Sequence, residues 1–286
     1  MSQQKIIIVL IVAILVASMV AWGGSYTGQV YAGIPIFSIC IGLAFIINWL
    51  AFIPANIKKT EHFYDLTGSL TYISTTAAAI YFSQNLDMRS LTVASMVIIW
   101  ATRLGSFLFI RISKDGRDDR FDSIKINPLR FFNAWTLQAL WVSLTAAAAL
   151  ITITSIKKVE LDAFFYVGLA LWLGGFVIEV IADSQKRSFK KDPANKRKFI
   201  SSGLWSKSRH PNYFGEITLW FGIFVISIPV LTDWQWVALL SPIFVTFLLT
   251  KVSGLPMLEA KADKKWGGRP DYEAYKANTP ILVPKL

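Results

Sequence analysis

The amino-acid sequence predicts an all-α membrane protein: a polytopic helical bundle of about eight transmembrane helices, or seven if the first is not retained, with both termini cytoplasmic. Hydrophobic residues make up 54% of the 286 residues, and several runs of about 20 residues carry almost no charge. Runs of that length are what helices need to cross the roughly 30 Å hydrocarbon core of a bilayer. Barrel strands are much shorter, so the spans are expected to be helices.

Eight apolar segments follow one another along the chain. They cover about residues 5–22, 32–54, 62–82, 89–110, 131–153, 161–183, 212–231 and 234–252. The first has the apolar core of a signal peptide but no small-x-small cleavage site, so we expect a retained helix.

The cations lie mainly between alternate segments. With eight spans, one side of the membrane receives the N-terminus and the segments 57–61, 111–130, 184–211 and the tail from 251. The other side keeps Arg89, Lys157 and Lys158. This is the positive-inside pattern, which places the cation-rich loops in the cytoplasm. Since topology explains the formal charge of +11, we do not expect a nucleic-acid partner.

Cysteine and histidine usage argues against a metal site. Cys40 is the single cysteine, which excludes an intramolecular disulfide and a cysteine metal cluster. His62 and His210 are the two histidines, so an imidazole-based site is not expected either.

Five of the ionisable residues inside predicted spans stand out, because such a residue costs roughly 2.5–3.5 kcal/mol on insertion and marks function by default. They are Asp65, Arg103, Glu179, Asp183 and Glu216. Glu179 and Asp183 share a helix face, where a ligand with hydroxyl and amide donors would relieve their repulsion. Arg103 either pairs with Asp65 or Glu179 or faces a ligand. Asp183 and Glu216 could instead snorkel to the interface.

The stretch RISKDGRDDR, residues 111–120, alternates cations and acids around Gly116. Arginine forks bind phosphates bidentately, so one interpretation is a phosphorylated ligand at the cytoplasmic mouth. The other is that these cations only set the orientation in the membrane.

The most informative motif is SRHPNYFGE, residues 208–216, directly before an apolar run. Pro211 is tolerated in a first helical turn, so the motif predicts a helix start. Asn212 and Glu216 then share a face, close to the free N–H groups of the helix N-terminus. His210 is interpreted as a positioning residue rather than a catalyst.

SRHPNYFGE at a helix start resembles the signature of the membrane steroid 5α-reductase superfamily, which includes sterol C=C reductases and isoprenylcysteine carboxyl methyltransferases. Gly203-Leu204-Trp205 and the ending DYEAYKANTPILVP, residues 271–284, fit the same pattern. TRLGSFLFIRISKDGRDDRF, residues 102–121, resembles the bacterial, uncharacterised 3-oxo-5-alpha-steroid 4-dehydrogenase-like branch. The resemblance covers about residues 60–286. It implies a bacterial inner-membrane protein with peripheral helices in 1–58 and a catalytic domain in 59–286, whose cytoplasmic tail is 253–286.

The resemblance also implies an activity. NADPH would enter from the cytosol and a lipidic substrate from the bilayer, and a hydride would pass to the conjugated C=C bond of a steroid-like or other enone. The positions implied to bind the cofactor are Arg103, Arg117, Glu179, Asp183, Lys190, Lys198, Arg209, His210, Asn212, Tyr213, Glu216, Lys251, Glu259 and Tyr272.

The positions implied to be catalytic depart from the family pattern. A Gln-Glu pair of the steroid enzymes appears as Tyr64-Asp65, and a Tyr before the span arginine appears as Trp100. Asp65 could donate a proton if apolar surroundings favour its protonated form. Trp100 offers one N–H but cannot transfer a proton in the same way, so Tyr64 or Tyr72 could substitute. The cofactor half of the resemblance is therefore better supported than a steroid substrate.

Two other functions fit parts of the sequence. Glu259 resembles an acid that S-adenosylmethionine-dependent membrane methyltransferases carry after the last span, but KVSGLPMLEAK, residues 251–261, lacks their arginine-rich motif. The arginines near residues 103–120 favour a phosphorylated cofactor. A non-enzymatic lipid transporter or binding protein would also bury charges, although the compact cytoplasmic motif argues against it.

Overall fold

The computed structural model describes residues 2–285, except for the side chains of Lys114, Asp115 and Asp119. The described chain is mainly α-helical, which confirms the predicted all-α polytopic membrane fold. Six helices are long and apolar enough to cross a membrane, or seven if one bent pair counts as a single span, among the residues described.

The helices are α1 (Gln3–Gly24), α2 (Ile36–Lys58), α3 (Tyr64–Phe82), α4 (Met88–Asp115), α5 (Pro128–Thr145), α6 (Ala147–Thr154), α7 (Ala163–Lys191), α8 (Pro211–Ser227), α9 (Leu240–Phe247), α10 (Leu255–Trp266) and α11 (Pro270–Asn278). An antiparallel hairpin of β1 (Val30–Tyr31) and β2 (Ile34–Pro35) joins α1 to α2. The sequence did not predict this hairpin, because two-residue strands leave no alternating pattern.

Every predicted span overlaps helical structure, although several boundaries differ. The segment 131–153 is two helices, α5 and α6, bent by 55°. α7 continues to Lys191, about two turns into the predicted loop 184–211. The cation-rich tail, for which the sequence interpretation predicted no helix, contains α10 and α11.

α3 is a helix where one was predicted, but it is too polar to count among the candidate spans. It packs against α2, α4, α5 and α6, so much of its polar surface faces protein. Thr67, Thr71 and Thr75 each donate a hydroxyl hydrogen bond to the carbonyl four residues earlier. Asn48 of α2 donates to the Thr71 hydroxyl at 3.2 Å. Polar residues of this kind are tolerated at membrane depth because neighbouring helices satisfy them.

The chain forms two compact units. The first contains the residues up to Phe165 together with Ile226–Ser241, and the second contains Tyr166–Val225 together with the residues from Pro242 onward. In the first unit, the aromatic side chains of Phe121, Phe131 and Trp135 pack together in the core.

Arg89, one of the cations predicted on the non-cytoplasmic side, is fully buried in the first unit. Its guanidinium donates to the carbonyls of Ile226 at 2.7 Å and Glu160 at 2.9 Å, and it pairs with Asp162 at 3.0 Å. Charge-assisted bonds of this kind offset the cost of burying the cation. Arg89 therefore fastens the start of α4 to the segment before α7 and to the backbone at Ile226.

In the second unit, α7 and α8 touch through their backbones at glycines. A Cβ placed on Gly175 would lie 2.5 Å from the Gly215 carbonyl oxygen, and one on Gly222 would lie 2.6 Å from that of Gly168. The glycines are spaced seven residues apart on both helices, and the pairing shows that the helices run in opposite directions. Small residues allow this close approach in membrane helices. We call this contact the glycine seam.

The glycine seam predicts that substitutions at two adjacent glycines, Gly174 and Gly175, differ in their effect on the free energy of unfolding. Gly175→Ala is expected to lower the free energy of unfolding by about 1–3 kcal/mol, because the added methyl meets backbone atoms that cannot rotate away. Gly174→Ala is the matched control, since nothing lies within 4 Å of a Cβ there. The control should be neutral, or more stable by up to about 1 kcal/mol from helix propensity. Denaturant unfolding of both variants in one detergent measures the difference. Equal stabilities would contradict the close contact.

Candidate functional site

The SRHPNYFGE motif lies in the second unit, where a short 3-10 turn, Gly203–Ser206, leads into α8. Pro211 is the first residue of α8, as the sequence predicts. The indole Nε1 of the buried Trp205 donates to the Ala182 carbonyl on α7 at 3.0 Å. This bond holds the turn against α7, so the start of α8 is fixed relative to that helix.

Residues 279–285, which we call the tail strap, hold the motif from another side. The backbone N–H of Arg209 donates to the Pro280 carbonyl at 2.9 Å. The Ser208 hydroxyl donates to the Leu282 carbonyl at 2.7 Å. The proline-containing ending and the motif, far apart in sequence, are therefore one structural feature.

Glu259 of α10 joins two residues of the motif. One carboxylate oxygen accepts a hydrogen bond from Arg209 Nη1, and the other lies 2.7 Å from His210 Nε2. The imidazole also stacks on the Tyr213 ring, with centroids 5.7 Å apart. The His210 backbone N–H donates to the Ser208 hydroxyl at 3.1 Å. A carboxylate that bonds to two donors in a mostly buried place holds both donors in fixed orientations.

The glycine seam fixes the register of α7 against α8, and in this register a second polar contact forms between the two helices. Asn212 Nδ2 donates to an Asp183 carboxylate oxygen at 3.2 Å. Asp183 and Glu179 are both buried, which agrees with the shared helix face that their spacing predicts. The start of α8 thus brings an amide next to one of two buried acids on α7.

Three polar atoms of the motif are buried without a hydrogen-bond partner among the described residues. They are Arg209 Nε, His210 Nδ1 and Asn212 Oδ1. Buried polar atoms are nearly always paired, so a group of such atoms on neighbouring residues indicates where a ligand or ordered water binds.

A groove of about 400 Å³ lies beside Glu259. Its lining residues are Thr250, Lys251, Leu255, Pro256, Glu259, Ile281 and Leu282. The chain turns into this region through a π-helical turn, Leu248–Val252, a feature that is frequent at functional sites. Gly254 follows, and a Cβ there would lie 2.8 Å from the Tyr213 ring.

The other predicted residues of the second unit lie outside this cluster or on its edge. Lys190 and Lys198 are exposed, and Lys198 lines a separate groove of about 490 Å³ with Phe199 and Tyr275. Tyr272 is buried and donates its hydroxyl to Asp263 at 3.2 Å, which fastens α11 to α10. Glu216 is half-buried on α8.

The four predicted catalytic residues belong to the first unit. Tyr64 donates its hydroxyl to the Ala134 carbonyl at 2.9 Å. Tyr72 and Trp100 are both buried, and their rings meet edge to face with centroids 5.1 Å apart.

Asp65 lies in an ion pair at the start of α3. Its carboxylate is 3.2 Å from Arg111 and 3.6 Å from Arg120. Asp65 therefore lies beside two cations, whereas the sequence interpretation required apolar surroundings.

Arg103 and Arg117, two predicted cofactor ligands, also belong to the first unit. The Arg103 guanidinium lies 5.9 Å from the centroid of the Phe107 ring on the same helix. Arg117 is exposed in the loop after α4.

Sequence reasoning missed Glu61, which holds the loop after α4 in place. Its carboxylate accepts a hydrogen bond from Lys125 at 2.8 Å and one from the Asp118 backbone N–H at 3.0 Å. Burial opposes the charged form of Glu61, but these bonds outweigh it and hold the pKa below its usual value. The sequence did offer a signal for this role, because Glu61 is an acid directly before a predicted span, on the same predicted side of the membrane as the cation-rich loop 111–130.

Glu61 predicts a dependence of stability on pH. Because its folded pKa is lowered, its contribution is present above the ordinary pKa of about 4.3 and is lost as pH falls through the lowered value. Glu61→Gln should lower the free energy of unfolding by about 1 kcal/mol at neutral pH and make it less sensitive to acid. Unfolding midpoints between about pH 3 and pH 7 measure this effect.

Asp122→Asn is the control for Glu61→Gln. Asp122 also lies near Lys125, at 3.5 Å, but its side chain is 45% exposed. This variant should stay within about 0.5 kcal/mol of wild type. If the two variants behave alike, Glu61 does not hold the loop.

Comparison with known proteins places the chain in a family. The sequence profile described as "Protein of unknown function (DUF1295)" matches residues 51–279, and the chain belongs to this family. It is also 30% identical over 120 residues to 3-oxo-5-alpha-steroid 4-dehydrogenase 1 of Rattus norvegicus, covering 42% of this chain and 41% of the relative. Steroid 5-alpha-reductase DET2 of Gossypium hirsutum is 30% identical over 120 residues, 42% of each chain. These matches confirm the superfamily that the motifs predicted.

A shorter match has a different name. Probable O-methyltransferase ustE of Ustilaginoidea virens is 37% identical over 59 residues, covering 21% of this chain and 20% of the relative. In all three cases the matched region is less than half of the relative's length. No solved structure matches the chain.

Proposed function

We propose that the protein is an integral membrane reductase that uses NADPH to reduce the conjugated C=C bond of a steroid-like or other lipidic enone. The observation that carries this proposal is the group of buried atoms without partners on Arg209, His210 and Asn212. The relatives named as steroid dehydrogenase and reductase give the chemistry, at 30% identity.

The residues of the motif fit a dinucleotide cofactor. His210 Nδ1, Asn212 Oδ1 and the buried acids of α7 are suited to accept hydrogen bonds from ribose hydroxyls and a carboxamide. Arg209 Nε is an unused donor in the same place. When bound, NADPH supplies a hydride. This chain's residues orient the cofactor and exclude water, which is the usual division of work in cofactor enzymes.

The phosphates of the cofactor would be held by cations. We propose Lys190, Lys198, Lys251, Arg103 and Arg117 for this role, because cations suit phosphate groups. The positive-inside pattern would place them in the cytoplasm of a bacterial cell, at the inner membrane. Residues 1–58 would be peripheral and residues 59–286 catalytic.

At the substrate end we propose Tyr64, Asp65, Tyr72 and Trp100. The substrate would enter from the bilayer. Membrane lipids would contact the exposed apolar side chains of the helices. Asp65 would be the candidate proton donor, and Arg111 and Arg120 would orient its carboxylate.

A methyltransferase that uses S-adenosylmethionine is a second candidate. The match to the probable O-methyltransferase and the contact of Glu259 with Arg209 and His210 both favour it. This cofactor is cationic at sulfur and carries no phosphate, so it would make no use of the surrounding lysines and arginines. A lipid transporter or binding protein, without catalysis, is a further alternative that a test for cofactor binding separates from both enzymes.

Titration of the purified protein with each cofactor tests the proposal. In detergent, NADPH at about 100 times its Kd should stabilise the fold by about 2.7 kcal/mol, which raises the melting temperature. NADH should have a weaker effect, since it lacks the 2′-phosphate, and S-adenosylmethionine should have none.

Asn212→Ala should weaken NADPH binding about tenfold in the same assay, because it removes a buried hydrogen-bonding group from the proposed cofactor site. Asn56→Ala is the control, since Asn56 lies in the segment proposed to be peripheral, and its side chain accepts an exposed hydrogen bond from Lys59 at 2.9 Å. A shift with S-adenosylmethionine alone would replace the reductase by the methyltransferase, and no shift with any cofactor would favour a non-enzymatic protein.

A further inference from the structure

The imidazole of His210 is held in one orientation. Glu259 lies 2.7 Å from Nε2, the Tyr213 ring stacks on one face, and the backbone N–H is bonded to Ser208. His210 is 5% exposed, and its Nδ1 has no partner in the part of the chain that the structure describes. A ring fixed in this way aims a single unused nitrogen in a defined direction.

The contact with Glu259 determines which ring nitrogen carries the proton. An ionised carboxylate can only accept, so Nε2 must carry the hydrogen of this bond. The Arg209 guanidinium on the other carboxylate oxygen favours the ionised form. A neutral imidazole then has its lone pair on Nδ1, which makes Nδ1 an acceptor.

The charges around His210 agree with a neutral ring. Burial lowers the pKa of His210, and this effect outweighs the hydrogen bond and charge of Glu259, which act to raise it. Lys186 and Arg209 are the nearby cations, and both disfavour a second positive charge.

We infer that His210 Nδ1 is a tautomer-locked hydrogen-bond acceptor that selects ligands presenting an N–H or O–H donor, with Glu259 and Arg209 as the positioning residues. The inference rests on the proposed function for the identity of the ligand. In NADPH, the donor is either the carboxamide of the nicotinamide or the 2′-hydroxyl of its ribose. Sites built around a buried acceptor reject analogues that lack the donor, because the acceptor then stays unpaired.

The tautomer can be observed without any ligand. The chain has two histidines, so selective labelling of histidine side chains with nitrogen-15 gives two imidazoles. His62→Gln removes the other one and assigns His210. We expect a neutral ring with the hydrogen on Nε2 and an unprotonated Nδ1. A cationic ring, or one with the hydrogen on Nδ1, would overturn the inference.

Glu259→Gln tests whether the carboxylate of Glu259 fixes the tautomer of His210. A glutamine side chain can either donate or accept, so the preference for one tautomer should be lost. Glu273→Gln is the matched control, since Glu273 is exposed on α11 and accepts a hydrogen bond from the Gly268 backbone. Its spectrum should equal that of wild type. If Glu259→Gln also leaves the spectrum unchanged, Glu259 does not set the tautomer.

Binding assays with NADPH analogues identify the donor. The 3-acetylpyridine analogue replaces the amide NH₂ by a methyl group, and a 2′-deoxy analogue removes a hydroxyl from the nicotinamide ribose. One of the two should bind wild type about tenfold or more weakly than NADPH does. In His210→Phe, which keeps an aromatic ring beside Tyr213, that difference should disappear. Equal loss in both proteins, or no loss with either analogue, would overturn the selection by His210.

The two proposals fail separately. If wild type does not bind NADPH, the reductase proposal fails, while the nitrogen-15 spectrum still decides whether the lock exists. If NADPH binds but His210 is cationic, the reductase proposal stands and the inference fails.

Discussion

The carboxylate of Glu259 is the contact on which the arrangement of the motif depends. It bonds to Arg209 and His210 together, while the backbone of Arg209 is also bonded to the tail strap. Without Glu259, a mostly buried guanidinium would lack its counter-ion, which is a costly arrangement. One side chain of α10 therefore orients Arg209 and His210, while the tail strap holds the same motif through separate hydrogen bonds.

The glycine seam supplies the second constraint. Because α7 and α8 touch through backbone atoms, their register cannot slide by a fraction of a turn without a clash. That register places Asn212 next to Asp183 and leaves Asn212 Oδ1 unpaired. The polar groups of the proposed cofactor site are thus positioned by the packing of α7 against α8 as well as by their own hydrogen bonds.

The sequence predicts the features that follow local rules. Pro211 begins α8, as its lack of an N–H suggests, and the apolar runs are helices because lipid requires internally bonded backbone. α3 is not counted among the candidate spans by its hydropathy, although it is a helix within the bundle. A helix that packs against several others does not need to be apolar on every face. The helical tail was missed because its residues are polar and their partners lie elsewhere in the chain.

Contacts between distant residues could not be derived from one sequence. Glu259 and His210 are 49 residues apart, and nothing in the spacing predicts that they bond. The glycine repeat in 168–175 and 215–222 was visible, but its meaning depends on which helices are neighbours.

Hydrogen–deuterium exchange with and without NADPH tests the central claim most directly, because it locates the cofactor on the chain. The account predicts that NADPH slows exchange in the peptides covering residues 208–216 and in the tail strap, while S-adenosylmethionine leaves both unchanged. Protection by S-adenosylmethionine instead, or NADPH protection confined to other segments, would contradict it.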